Sequence, residues 1–213
     1  MISVSRKHKI LFLHIPKAAG SSINALIKSL DPDSGALCER AHESASHIYE
    51  KHPNEFKEYF KFAVVRNPWA RAVSLYHYRQ KTRNHNPPHW PSRKEINSMS
   101  FRDVVLKSLE QGEEYAEVCP PRDAPEIAWL EPSCFSWVNI NDEISVDYIC
   151  KLESIEKDIA LMFEYLGLQA STLPHLNTSD HRPYAHYYDD ETREIVANKY
   201  AKDIEHFGYG FGD

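Results

Sequence analysis

Two places in this sequence have the residue types and spacing to hold an anion. Lys17 stands directly behind Pro16 in a turn of small residues, Lys17-Ala18-Ala19-Gly20-Ser21-Ser22. A lysine there supplies a mobile full charge, while a tight turn entering a helix aims backbone N–H groups and the positive dipole end at one point. The pattern differs from the GxxxxGK[ST] loop of nucleoside triphosphatases, in which the lysine follows the glycines; here Lys17 precedes Gly20. A plain structural turn with Lys17 pointing to solvent is the competing reading. The second place is Arg66, followed by Asn67-Pro68-Trp69, with Ser74 further on. Its guanidinium is a planar fork suited to phosphate-like oxygens, and Ser74 adds a hydroxyl donor. Two such places suggest a ligand with two anionic ends. Between them lie His42 and His47. Either imidazole could serve as a general base beside an anion site, though the sequence by itself makes neither catalytic.

The elements that must position these residues are legible from periodicity. Residues 10–15 form a short apolar run with a single histidine, which reads as a buried strand of a parallel sheet ended by Pro16. Ser21 or Ser22 is the expected cap of a helix with Ile23, Leu26, Ile27 and Leu30 on one face, closed by Asp31-Pro32. Residues 60–65 are a second strand, Asn67 an N-cap and Pro68 the first position of another helix. Arg66 then sits at the carboxyl end of a strand, the edge where open α/β sheets place ligands. Further on, the pattern predicts a helix leading into Lys57 and another over 101–109. Residues 134–138 and 145–152 read as two strands joined by a turn at 139–143. Ile155, Ile159, Met162, Phe163 and Leu166 line a helix that stops at Gly167. A last helix from Asp189 carries Ile195, Val196, Tyr200, Ile204 and Phe207 and stops at Gly208. The long polar stretch 81–100 is a candidate lid or acceptor-binding segment. Residues 173–186 form a polar loop.

Composition sets outer bounds. A chain of 213 residues with 42% hydrophobic content suits one compact domain over 1–213 with a sizeable core. The net charge of -6 and pI near 6.1 exclude a general nucleic-acid binder, so any anion site is local. The apolar run at 10–15 is far too short to span a membrane and no small-residue cleavage site follows it, so a soluble, cytoplasmic protein is expected. Cys38, Cys119, Cys134 and Cys150 are scattered without a CxxC pair. Buried thiols are expected, a disulfide stays open, and no metal site is expected.

Taken together, the two junctions resemble a known family. His14-Ile15-Pro16-Lys17-Ala18-Ala19-Gly20-Ser21-Ser22-Ile23 is similar to the 5′-phosphosulfate motif of sulfotransferases that use 3′-phosphoadenosine-5′-phosphosulfate. The stretch 64–78, VVRNPWARAVSLYHY, is similar to their 3′-phosphate motif. The resemblance extends over nearly the whole chain and points to the carbohydrate-type branch. It implies a P-loop-like three-layer α/β fold, with a central mainly parallel sheet flanked by helices. It further implies that Lys17 contacts the sulfonate and bridging oxygen, that the backbone of Pro16 and Ala18 to Ser22 cradles the 5′-phosphate, and that Arg66 and Ser74 bind the 3′-phosphate. His42 matches the base histidine of glycosaminoglycan 2-O-sulfotransferases by its position between the motifs, with His47 as a substitute. Arg182, with Ser179, matches a late basic loop near the cofactor, interrupted here by Asp180 and His181. The implied activity is in-line transfer of a sulfuryl group to an acceptor hydroxyl, with a carbohydrate as the acceptor class and no metal. Two rivals stand beside it. A nucleotide-dependent kinase is disfavoured by the displaced lysine and the lack of a magnesium-carboxylate pattern. A silent nucleotide-binding module is disfavoured by the retained Lys17, Arg66 and Ser74.

Overall fold

Strand β1 (Ser3–Ser5) and strand β2 (Ile10–Leu13) are buried along their whole length, as a sheet covered on both faces requires. The computed structural model describes residues 3–38, 42–81, 93–110, 130–169, 173–174 and 182–213. After β2 the chain turns through residues 14–19 into helix α1 (Gly20–Leu30), whose buried side includes Ile23, Leu26 and Ile27. A short strand β3 (Gly35–Ala36) follows. Two helices, α2 (Ala45–Lys51) and α3 (Pro53–Glu58), lead into strand β4 (Phe60–Val65). The sequence reads one helix into Lys57; Pro53 divides it, because a proline cannot continue a helix but fits the first turn of the next.

The chain forms two compact units, Met1–Arg66 with Trp137–Thr178 and Asn67–Ser136 with Ser179–Asp213. The first unit holds a five-stranded sheet in the order β3-β1-β2-β4-β7, with β7 at Tyr148–Lys151. The three strands β2, β4 and β7 are parallel: Leu13 lies opposite Ala63, and Val65 opposite Lys151. Strand β1 runs antiparallel between β2 and β3. The expected mixed α/β architecture with a mainly parallel sheet is therefore present, with an antiparallel edge the periodicity did not predict. Helix Ile155–Tyr165 packs on β7 and ends at Gly167, whose φ of 66° is the left-handed conformation that glycine adopts most readily. A turn does fall within 139–143, at Asn141–Asp142, but the strands it joins are the two-residue β5 (Asn139–Ile140) and β6 (Glu143–Ile144).

The regular elements among the described residues of the second unit are helices. Helix α4 (Pro68–Lys81) starts as predicted: Asn67 Oδ1 accepts from the N–H groups of Trp69 and Ala70, at 3.1 and 3.2 Å. Two short helices, α5 (Arg93–Asn97) and α6 (Phe101–Lys107), follow. Trp69, Tyr76, Phe101, Val105, Val196 and Tyr200 belong to the core of this unit. Beneath them Arg79 pairs with Glu131 at 3.2 Å, and the hydroxyl of Tyr200 donates to the Glu131 carbonyl at 2.8 Å. Two sequence expectations fail here. Residues 134–138 form a helix, Cys134–Val138, because the buried Asp203 carboxylate accepts from the N–H groups of Cys134 and Phe135, at 2.8 and 2.7 Å. The last helix is two, Asp190–Lys199 and Ala201–Phe207, broken where Tyr200 leaves helical backbone geometry. No helix among the described residues is long and apolar enough to cross a membrane.

Candidate active site

The β2–α1 turn has an unusual backbone for its composition. Lys17 has φ 65° and Ala19 φ 55°, both left-handed, although neither is glycine. Each such residue costs about 1 kcal/mol, and strain of this kind collects at functional turns. Neither Ser21 nor Ser22 caps α1. The cap is Ala19, with no side-chain bond, and the first intrahelical bond from it runs from the Ile23 N–H to the Ala19 carbonyl at 3.1 Å. Backbone conformation does the work the serine was expected to do, so Ser21 is exposed on the first turn and Ser22 is buried. Alternating backbone of this sort turns successive N–H groups toward one concavity, and the helix dipole adds positive potential at the same end.

Arg66 joins this turn. Its Nη1 donates to the Lys17 carbonyl at 3.2 Å, tying the carboxyl end of β4 to the turn after β2. The parallel pairing of the two strands brings their ends side by side. Burial, reinforced by the Arg66 charge, lowers the Lys17 ammonium to about 8. Two cations brought together on a helix N-terminus repel each other, and an anionic ligand relieves that repulsion.

His42 belongs to the same constellation. Its Nδ1 lies 2.8 Å from the His14 carbonyl oxygen, which can only accept, so Nδ1 carries the proton and the neutral ring keeps its lone pair on Nε2. The two imidazoles lie 4.3 Å apart between centroids, and the Trp137 indole meets His42 edge-on at 6.1 Å. The Trp137 N–H is buried with no hydrogen-bond partner among the described residues. His47 is placed differently, on α2, with Nε2 3.7 Å from the buried Glu43 carboxylate.

Lys17, the turn, Arg66 and His42 thus lie in the first unit. Ser74, buried on α4, and Arg182, exposed, belong to the second unit. Ser179, Cys119 and most of the stretch 81–100 lie outside the described residues, although its end includes α5. Cys38 and Cys150 are free thiols, and burial pushes Cys150 up to about 12, which removes it as a nucleophile. No cluster of metal-ligating residues occurs among the described residues. Sequence reasoning passed over His14 and Trp137. The one signal for His14 was a lone imidazole at the end of an otherwise apolar strand.

Comparison with known proteins gives the family. Residues 1–210 match the profile of the Sulfotransferase family. Human carbohydrate sulfotransferase 10 is 24% identical over 240 residues, covering 98% of this chain and 66% of its own, so the chain spans about two thirds of that relative's length. A crystal structure of a sulfotransferase from Alicyclobacillus acidocaldarius matches 76% of this chain and 56% of its own, with 18% identity and a TM-score of 0.38. The chain belongs to the sulfotransferase family, on the branch that includes the human carbohydrate sulfotransferase.

Proposed function

We propose that this protein moves a sulfuryl group from 3′-phosphoadenosine-5′-phosphosulfate to a hydroxyl of a carbohydrate acceptor. The observation that carries the reading is the pairing of Lys17 and Arg66 on the left-handed turn at the head of α1. The family match gives the reaction class, and the name of the human relative supports the acceptor class. A P-loop-like fold and the single functional domain over 1–213 belong to the same proposal.

The donor supplies a sulfur–oxygen bond to its 5′-phosphate that breaks as a bond from sulfur to the acceptor oxygen forms. Negative charge gathers on the departing oxygen. Lys17 and the first N–H groups of α1 are preorganised to meet it, and fixed donors of this kind are worth several kcal/mol in a desolvated site. Burial weakens the hold of Lys17 on its proton, so the ammonium is well placed to share it with that oxygen. Arg66 keeps the Lys17 carbonyl in position and is the candidate to hold the 3′-phosphate. His42 takes the acceptor's proton at Nε2, the nitrogen left basic by the Nδ1 bond to His14. The acceptor oxygen gains sulfur and loses its proton to His42, and the phosphate leaves with the bonding electrons.

Calorimetric titration with 3′-phosphoadenosine-5′-phosphate, run beside ATP with magnesium, tests the proposal. Micromolar binding of the former and much weaker binding of the latter is the expected result. Preference for magnesium ATP would overturn it in favour of a kinase. Binding of the bisphosphate with no sulfation of any hydroxyl acceptor would instead support a silent binding module.

A further inference from the structure

Resting on the reading of His42 as the base, we infer that His14 is a positioning residue that couples the anion turn to that base. His14 is the last residue before the turn's Ile15-Pro16, and both its main chain and its side chain are engaged. The carbonyl receives the Nδ1–H of His42 at 2.8 Å, which fixes the base in one tautomer. The imidazole is packed between Phe12, stacked at 5.7 Å and 22°, and the His42 ring at 4.3 Å and 52°. With Trp137 edge-on at 6.1 Å, these ring contacts and the bond to the His14 carbonyl hold the plane of the His42 ring.

The same His14 ring rests on the first residue of α1. A Cβ built on Gly20 would lie 1.6 Å from His14 Nε2 and 2.0 Å from Cδ2, so glycine is required there for the ring to occupy this place. Gly20 has an ordinary helical backbone, and its requirement is one of space rather than of dihedral freedom. His14 therefore touches the anion turn on one side and the base on another. Seating of the donor and orientation of His42 share a single residue: its carbonyl holds the His42 proton, and its ring packs on both His42 and Gly20.

The test uses the full chain with the variants His14→Ala, Gly20→Ala, the double variant and His42→Ala. Affinity for 3′-phosphoadenosine-5′-phosphate is read by calorimetry, and kcat with a panel of 4-nitrophenyl glycosides as hydroxyl acceptors. His14→Ala is expected to keep affinity within about threefold and to lower kcat about tenfold or more, as displacing a reacting group by a fraction of an ångström does. Gly20→Ala is expected to weaken affinity about tenfold, since ring and methyl cannot share the space. Adding His14→Ala is expected to restore affinity while kcat stays at the His14→Ala level, a non-additivity that independent sites do not give. Should Gly20→Ala fail to fold, recovery of the fold in the double variant counts as the same rescue. In nitrogen-15 spectra of histidine-labelled protein, the signals lost in His42→Ala should report an Nδ1-protonated ring in the parent and a shifted, broadened ring in His14→Ala, which keeps the carbonyl but loses the packed imidazole. A His14→Ala variant with parental kcat and an unchanged His42 spectrum overturns the inference, as does a double variant no better than Gly20→Ala. If no glycoside is sulfated, the spectra and the affinity rescue decide. Parental turnover in His42→Ala is a separate outcome: it removes the base assignment and leaves the spatial link between His14 and Gly20 to the affinity data.

Discussion

Lys17 is the residue whose chemistry and energetics are most closely bound together. Lys17→Ala is expected to lower the rate of sulfuryl transfer by about 10²-fold or more while changing affinity for 3′-phosphoadenosine-5′-phosphate by less than tenfold, because its charge is needed most where charge develops. Single-turnover kinetics beside calorimetry separate the two. Its ammonium is lowered to about 8 by burial and by the neighbouring Arg66, so in the free protein the charged form is lost as pH rises through that value. The kcat/KM for the donor should fall in the same range. Removing the like charge in Arg66→Ala should move that fall to higher pH while weakening bisphosphate binding; an unmoved pH profile would argue that Arg66 does not act on Lys17. The sign for stability is opposite. The unfolded chain holds this proton up to about 10.5 and the native state only to about 8, so the unliganded fold gains stability as pH rises between these values. Thermal melts across that window should show the gain in the parent and not in Lys17→Ala.

At the scale of elements, the two strand-to-helix junctions solve the same problem by different means. At the second, a side chain does it: Asn67 Oδ1 caps α4, and Nδ2 donates to the Gly210 carbonyl at 2.9 Å. Asn67→Ala removes the cap and that bond together, with an expected loss of about 1–2 kcal/mol. Denaturant melts should register it. Asn67→Asp, which keeps the cap but not the Nδ2 donor, should recover the larger share. At the first, the backbone does it, through left-handed Lys17 and Ala19. The capping role expected of Ser21 or Ser22 was read from residue preference, which describes what side chains usually do at helix starts. A turn already bent by its own dihedrals has no need of that bond. The helix at Cys134–Val138 makes a related point. Its apolar, β-branched and aromatic composition reads as a strand, yet an aspartate about 70 residues away supplies the acceptor for its opening N–H groups.

For the molecule as a whole, charge and burial are decided separately in the two units. The net charge of -6 is no obstacle to an anion site, because Lys17 and Arg66 act over a few ångströms within the first unit. In the second unit Asp203 is fully buried, and burial raises its carboxyl above the usual carboxylate range despite its main-chain donors. Asp203→Ala should destabilise that unit by about 3 kcal/mol or more, since two buried N–H groups lose their acceptor; a melting temperature unchanged from the parent would contradict this. The sequence by itself determined strands β2 and β4, helix α1, the Asn67 cap, the glycine stops at 167 and 208, and the two stretches proposed to bind anions. Each of these rests on local periodicity or on one residue's backbone preference, which neighbours in sequence carry in full. Only the tertiary structure decided that Arg66 grips the Lys17 carbonyl, that His42 rather than His47 joins the turn, and that His14 and Gly20 pack as one. Those relations arise from parallel pairing of strands about 50 residues apart and from ring packing within a few ångströms, neither of which leaves a period in the chain.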